Sequence, residues 1–233
     1  MFKKTFQTVR DTVPLIHNIT NYVTVNDVAN ALLACGASPI MSDDAMEVEE
    51  ITSICGGLNI NIGTLNQNTI PSMFLAGKKA NELNHKVLLD PVGAGASSLR
   101  TKTAMDLIEK VKFDVIRGNI SEIKAIAGSS SNTKGVDASS LDAVTEENLD
   151  EAVSFMKDLA RRFGCVVAAT GEFDLVSDSE RCFVIVQILI VFWKQLLQQF
   201  VLWDLPEKLL LKNFYLGKEI QLTETKLLMQ FII

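Results

Sequence analysis

No glycine occurs between Gly171 and Gly217, although the chain has 13 of them in 233 residues. Loops that cradle phosphate groups use glycine for close backbone approach, so this stretch cannot supply one. Histidine is scarcer still. With only His17 and His85, a histidine-built metal centre or a Ser-His-Asp triad is poorly supported, and both residues read as structural. The cysteines Cys35, Cys55, Cys165 and Cys182 show no C-x-x-C spacing and sit in apolar contexts. They read as buried reduced thiols rather than disulfides, which points to the cytoplasm. There is no surplus of basic residues: 22 Lys and Arg against 28 Asp and Glu give a net charge of −6. Scattered as they are, they form no basic stripe, which argues against a nucleic-acid partner. The early lysines are not followed by an apolar h-region, so no secretory signal is expected. The apolar run from Phe183 to Trp193 is broken by Gln187 and falls short of the ~20 residues of a membrane helix, so no membrane partner is expected either.

What is present fits one α/β domain, since 48% hydrophobic residues suffice for a sizeable core. Up to residue 185 short β-type runs alternate with amphipathic stretches, the pattern of βαβ units and a mostly parallel sheet. Apolar residues at helical spacing predict a helix over Asn21–Cys35, ending at Gly36 as a left-handed cap. Further helices are predicted over Thr69–Leu83, Ser97–Val111, Asn119 to about Gly128 with Asn119 as N-cap, and Glu146–Phe163. Strands are predicted at Ser38–Met41, Leu58–Gly63, Lys86–Asp90, Phe113–Arg117 and Cys165–Thr170. A loop spans Gly128–Thr145, and an edge hairpin joins Phe173–Val176 to Arg181–Ile185 around Asp178-Ser179.

In open α/β sheets ligands bind at the carboxyl ends of the strands, and there Asp90, Arg117, Asn119, Glu122, Thr170 and Gly171 collect. Phosphoryl transfer needs such groups: a cation on the phosphate oxygens, carboxylates that hold Mg²⁺, and backbone N–H donors for the developing charge. Arg117 suits bidentate phosphate binding, and Asp90 and Glu122 suit Mg²⁺ held through water. Each residue also has a plain alternative. Arg117 could pair with Asp114 or Glu122 at a strand end, Asp90 could cap a turn, and Thr170-Gly171 could be an ordinary strand exit. Gly93-x-Gly95 lacks the third glycine of a dinucleotide fingerprint, and no G-x-x-x-x-G-K-[ST] loop is present.

Taken in order, several segments resemble the hydroxyethylthiazole kinase family, thiamine-salvage enzymes of the ribokinase-like superfamily. The resemblance covers about Val13 to Ile185. It rests on Pro14-Leu15-Ile16-His17-Asn18-Ile19-Thr20-Asn21-Tyr22-Val23, Gly36-Ala37-Ser38-Pro39-Ile40-Met41, Leu58-Asn59-Ile60-Asn61-Ile62-Gly63-Thr64-Leu65, Asp90-Pro91-Val92-Gly93-Ala94-Gly95 and Arg117-Gly118-Asn119-x-x-Glu122. It implies a three-layer α/β/α fold with a mostly parallel sheet, and ATP- and Mg²⁺-dependent phosphorylation of the alcohol of 4-methyl-5-(2-hydroxyethyl)thiazole. It also implies a homotrimer with sites between subunits. By the same resemblance Met41 would contact the thiazole with Asn21 and Val23 nearby, Arg117 and Thr170 would contact ATP, and Asp90 and Glu122 would serve the metal. Core filling is the alternative for Met41. Another ribokinase-like kinase, such as one acting on a hydroxymethylpyrimidine, is argued against by Ile19-Thr20-Asn21 and Ser38-Pro39-Ile40-Met41.

The resemblance breaks after the hairpin. Members continue into Gly-Thr-Gly and then Cys or Asp at a helix start, which supplies the anion hole and the residue beside the acceptor hydroxyl. No such segment follows Ile185, so no catalytic residue can be named. A deletion near codon 186 that removed the glycine-rich segment and shifted the reading frame by one base would account for the break, with a genuinely divergent tail as the alternative. Because Trp is always TGG and Met always ATG, moving the frame back one base makes Lys194 read Glu, Asp204 read Gly and Gln230 read Ala, whatever the codon choice. The shifted text then resembles the family's late helix and closing pattern. The expectation is an incomplete kinase domain over 1–185 and an aberrant, non-homologous tail over 186–233, with the C-terminal helices disrupted. A non-catalytic nucleotide- or thiazole-binding remnant is the competing functional reading.

Overall fold

The structure, a computed structural model, describes residues 2–128 and 143–186. Among them the elements run α1 (Phe2–Thr12), β1 (Leu15–Ile19), α2 (Val25–Cys35), β2 (Ser38–Met41), α3 (Val48–Ile54), β3 (Gly57–Asn61), α4 (Thr69–Glu82) and β4 (Lys86–Asp90). They continue with α5 (Ser98–Lys110), β5 (Val115–Asn119), α6 (Ile120–Gly128), α7 (Leu149–Phe163), β6 (Val166–Thr170), β7 (Phe173–Ser177) and β8 (Cys182–Val186). The strands form one sheet in the order β2-β1-β3-β4-β5-β6-β7-β8. The first six are parallel, and β7 and β8 join antiparallel at the edge.

Strand alternation divides the sheet into two faces. His17 and Ile19 stand beside Leu58 and Ile60 on one face, which continues through Val87, Leu89, Ile116 and Val167. Helices α3 to α7 cover it with Met73, Ala76, Leu107, Ile123, Met156 and their neighbours in one apolar core. Burial on this scale is the main favourable term in folding, roughly 25 cal/mol per Å² of apolar surface. On the opposite face Ile16 packs with Val9 of α1, Leu32 of α2 and Ala37. Helices thus flank the sheet on both sides, the three-layer arrangement that the family resemblance implies.

Helix boundaries follow local chemistry. α2 starts at Val25 rather than Asn21 because the Asn21 side chain takes the N–H groups of Val23 and Thr24 in a turn ahead of the helix. It stops at Gly36, whose φ of +97° places it in the left-handed region, and a Cβ there would lie 2.5 Å from Arg10 Cγ. β5 begins two residues later than the apolar run suggests. Phe113 turns into the core, while Gly118 and Asn119 stay in the ladder opposite Ala169 and Thr170. α1, β1 and α3 are elements that periodicity alone does not single out.

The hairpin is present as expected, its turn tied by Asp178, which accepts N–H bonds from Glu180 and Arg181. His17 is a structural core residue, fully buried with Nδ1 2.9 Å from Thr52 Oγ1 and Nε2 2.9 Å from the Ser42 carbonyl. All four cysteines are free thiols. Among the described residues no helix is long and apolar enough to cross a membrane. The expectations for the tail beyond Val186 and for the middle of the loop at 129–142 lie outside the described residues.

Candidate active site

The carboxyl ends of β3, β4, β5 and β6 carry Asn61, Asp90, Arg117, Asn119 and Thr170, and strand register places all five side chains on one face. Asn61 pairs with Asp90 and Asn119 with Thr170. Extending the β4–β5 register by one residue sets Asp90 beside Arg117. The geometry agrees: Arg117 Nη1 lies 3.2 Å from Asp90 Oδ2. The same oxygen accepts a bond from Asn61 Nδ2 at 3.0 Å. Among the described residues Oδ1 accepts no hydrogen bond.

The alternatives for Arg117 and Asp90 can now be weighed. Asp114 is held by Lys86 and by the Val87 N–H, and Arg117 pairs with Asp90 instead. Asp90 does not cap the turn that follows it, where Ala94 N–H bonds the Pro91 carbonyl. Burial pushes the Asp90 carboxyl up to about 6, against the lowering influence of the Arg117 charge, while the negative charge of Glu122 adds to the rise. The Asp90 and Glu122 carboxylates are thus close enough for each charge to disfavour ionisation of the other.

Glu122 is more deeply committed to the backbone than the sequence suggests. Its Oε2 accepts the Asn119 N–H at 2.8 Å, and Asn119 Oδ1 accepts the Glu122 N–H at 2.8 Å, a reciprocal capping box at the start of α6. Its Oε1 accepts the Gly93 N–H at 2.8 Å, which ties α6 to the loop after β4. Each oxygen keeps a lone pair. With Asp90 Oδ1 open, the pair fits Mg²⁺ held through water and phosphate oxygens, the usual manner for this hard cation. No group of three or more His, Cys, Asp or Glu residues suited to a metal occurs among the described residues, so a cage made by the protein alone is not formed.

Thr170 ends β6 half-buried, its hydroxyl 3.4 Å from the Gly118 carbonyl and beside the Arg117 segment. Asn21 joins the same constellation from the turn between β1 and α2: its Nδ2 donates to Asn61 Oδ1 at 3.2 Å. Val23 contributes its N–H to Asn21 and leaves its side chain 88% exposed. Met41 is not brought to Asp90. It ends β2, half-buried beside Asn18 rather than in the core, and β1 and β3 separate it from β4. Three strand spacings of ~4.8 Å put about 14 Å between them.

Asn61 and Arg100 escape a reading by motif. The alternation Leu58-Asn59-Ile60-Asn61 did carry a signal, because a buried amide must find partners. Arg100, in the first turn of α5, donates to the Val92 carbonyl at 3.2 Å and the Gly63 carbonyl at 2.9 Å. It clamps the loop after β4 against the end of β3. Gly93 must be glycine beneath it: its φ is +72°, and a Cβ would lie 2.4 Å from Arg100 Nη1.

The sequence profile described as the hydroxyethylthiazole kinase family matches residues 6–188. A hydroxyethylthiazole kinase of Clostridium acetobutylicum is 60% identical over 185 residues, covering 79% of this chain and 68% of that protein. One from Clostridium beijerinckii is 60% identical over 173 residues, 74% of this chain and 62% of its own length. A solved hydroxyethylthiazole kinase protein from Pyrococcus horikoshii OT3 superposes with a TM-score of 0.68 at 40% identity, over 78% of this chain and 65% of that one. The chain therefore spans about two thirds of the length of these relatives. With a matching profile over most of its residues and relatives of this similarity, the chain belongs to the hydroxyethylthiazole kinase family.

Proposed function

We infer that this chain is built to phosphorylate the alcohol of hydroxyethylthiazole with ATP and Mg²⁺, and that its sequence after Ile185 leaves the activity severely impaired. The observation that carries the reading is the Asp90–Arg117 pair with Glu122 beside it, at the carboxyl ends of parallel strands in a member of this family. Arg117 is nearly half exposed, so guanidinium N–H groups remain to grip phosphate oxygens while one holds Asp90. The Thr170 hydroxyl adds a neutral donor at the next strand end. Asp90 Oδ1 and the free lone pairs of Glu122 would hold Mg²⁺ through water. When bound, that cation neutralises phosphate charge. Asn21 and Met41 would line the alcohol's side. Because Met41 stands apart from Asp90 within one chain, the reading includes a site completed by a second copy, in a homotrimer.

Impairment is supported by the sequence alone. No Gly-Thr-Gly step follows the hairpin, so neither backbone donors for the developing charge nor a residue beside the acceptor hydroxyl is supplied. The same observation favours a second reading, a nucleotide- or thiazole-binding protein without turnover. Calorimetric titration with MgATP and with the thiazole alcohol, paired with a phosphorylation assay in which hydroxymethylpyrimidine competes, tests both. Binding of both ligands with thiazole-selective turnover near background is the expected result. Turnover selective for the pyrimidine, or no binding of either ligand, would overturn the assignment.

A further inference from the structure

Asn61 sits 8% exposed at the end of β3, between the segment that carries Asn21 and the carboxylate of Asp90. Its amide orientation is not free. The Gly63 backbone N–H, which can only donate, meets Oδ1 at 2.9 Å, so that atom is the oxygen and Nδ2 must point at Asp90. The Asn21 amide is oriented in the same way, because its Oδ1 takes the backbone N–H groups of Val23 and Thr24, leaving Nδ2 for Asn61 Oδ1. A one-way chain of donors therefore runs from the start of α2 through Asn21 and Asn61 to Asp90, and Arg117 meets the same Asp90 oxygen from the other side. Each direction is set by a main-chain N–H.

We propose that Asn61 is the positioning residue of this site: locked by Gly63 and Asn21, its amide fixes the rotation of the Asp90 carboxylate so that Oδ2 is occupied and Oδ1 faces the cation that accompanies the nucleotide. The inference rests on the reading of Asp90 as a cation-facing group. Without the Asn61 donor, the carboxylate is held at one oxygen by Arg117 alone and can turn about its Cβ–Cγ bond. Loss of Asn61 therefore removes the cation-dependent part of nucleotide affinity and leaves the part supplied by Arg117 and Thr170.

The test uses the full chain and measures ATP affinity by calorimetry with and without MgCl₂. Asn61→Leu keeps the branched shape but has no amide. Asn59→Leu is the control, since Asn59 lies on the same face of the same strand and donates to Asn18 Oδ1 at 3.2 Å, away from Asp90. Mg²⁺ is expected to tighten ATP binding at least about tenfold in the parent and in Asn59→Leu, and less than twofold in Asn61→Leu, with Mg²⁺-free affinity unchanged. A folded Asn61→Leu that keeps the Mg²⁺ response, or an equal loss in both variants, overturns the proposal. If the parent binds no ATP, the functional reading fails separately. In that case, or if Asn61→Leu does not fold, the question passes to the parent chain and MnCl₂ alone. Selective paramagnetic broadening of the Asn61 side-chain amide over that of Asn59 supports the proposal, and equal or absent broadening overturns it.

Discussion

Arg117 reaches over to the neighbouring strand to place Nη1 3.2 Å from Oδ2 of Asp90, joining the ends of β4 and β5 through side chains where the backbone ladder stops. The pair is asymmetric. Asp90 is 15% exposed and Arg117 45%, so the carboxylate is the member that loses solvation, while the guanidinium keeps contact with solvent.

Arg117→Ala is expected to weaken ATP binding by about 1.5–3 kcal/mol, tenfold or more, through loss of a charge-assisted contact. Calorimetry on a variant shown to be folded checks this. Unchanged affinity would return Arg117 to a purely structural partnership with Asp90.

Asp90→Asn is expected to stabilise the ligand-free protein at neutral pH. The folded-state carboxyl titrates near 6 against a usual 3.8, so its contribution is fully present below about pH 4 and is lost as pH rises through 6. At about 1.4 kcal/mol per pH unit the ionised group costs up to ~3 kcal/mol at pH 7 and nothing below pH 4. Urea unfolding of both proteins from pH 4 to pH 8 should therefore show a gap that opens in favour of the variant between those limits. A gap that narrows with rising pH would contradict the burial argument.

Much of this was legible in the residues, and the misses have physical causes. The parallel strands were readable because Lys86–Asp90 and Cys165–Thr170 are apolar runs closed by polar residues, which marks both a buried strand and its ligand-bearing end. The polar set on β4, β5 and β6 was readable for the same reason. Asn61 was not, because a side chain that acts through another carries no motif; only its burial demands a partner. Nor was the double engagement of Glu122, since the link to Gly93 joins residues 29 positions apart. α3 has only seven residues, too few for periodicity to single out, and its place is set by packing of Val48 into the core.

Asn119→Ala should cost about 1 kcal/mol of stability through loss of the α6 cap. Glu122→Ala should cost more, since it frees the N–H groups of both Asn119 and Gly93. Thermal or urea melts of the two variants check the order. Glu122→Gln is the informative third variant, because its amide keeps the shape and one acceptor oxygen, so it can still take one of the two N–H groups but carries no charge and turns an NH₂ toward the other. It should melt between the parent and Glu122→Ala while losing Mg²⁺-dependent nucleotide affinity. Equal nucleotide behaviour in Glu122→Gln and the parent would leave Glu122 as a helix cap only.

On the proposed reading, the segment after Ile185 decides turnover. Without a glycine-rich helix start, the phosphoryl group in flight lacks backbone donors, and removal of a single such donor in other enzymes costs on the order of 10²–10³ in rate. The group beside the alcohol is missing as well, so phosphorylation of the thiazole alcohol by this chain should run near background. The comparison is with a version in which the reading frame is shifted back after Ile185 and a Gly-Thr-Gly-Cys segment is supplied, assayed at equal folded concentration. Restoration should raise the rate by at least the factor that one donor provides, while ATP affinity, set by Arg117 and Thr170, changes little. Equal rates from the two chains would mean that a group in 186–233 replaces the anion hole. A restored chain that phosphorylates a different alcohol would leave the fold assignment standing and remove the thiazole.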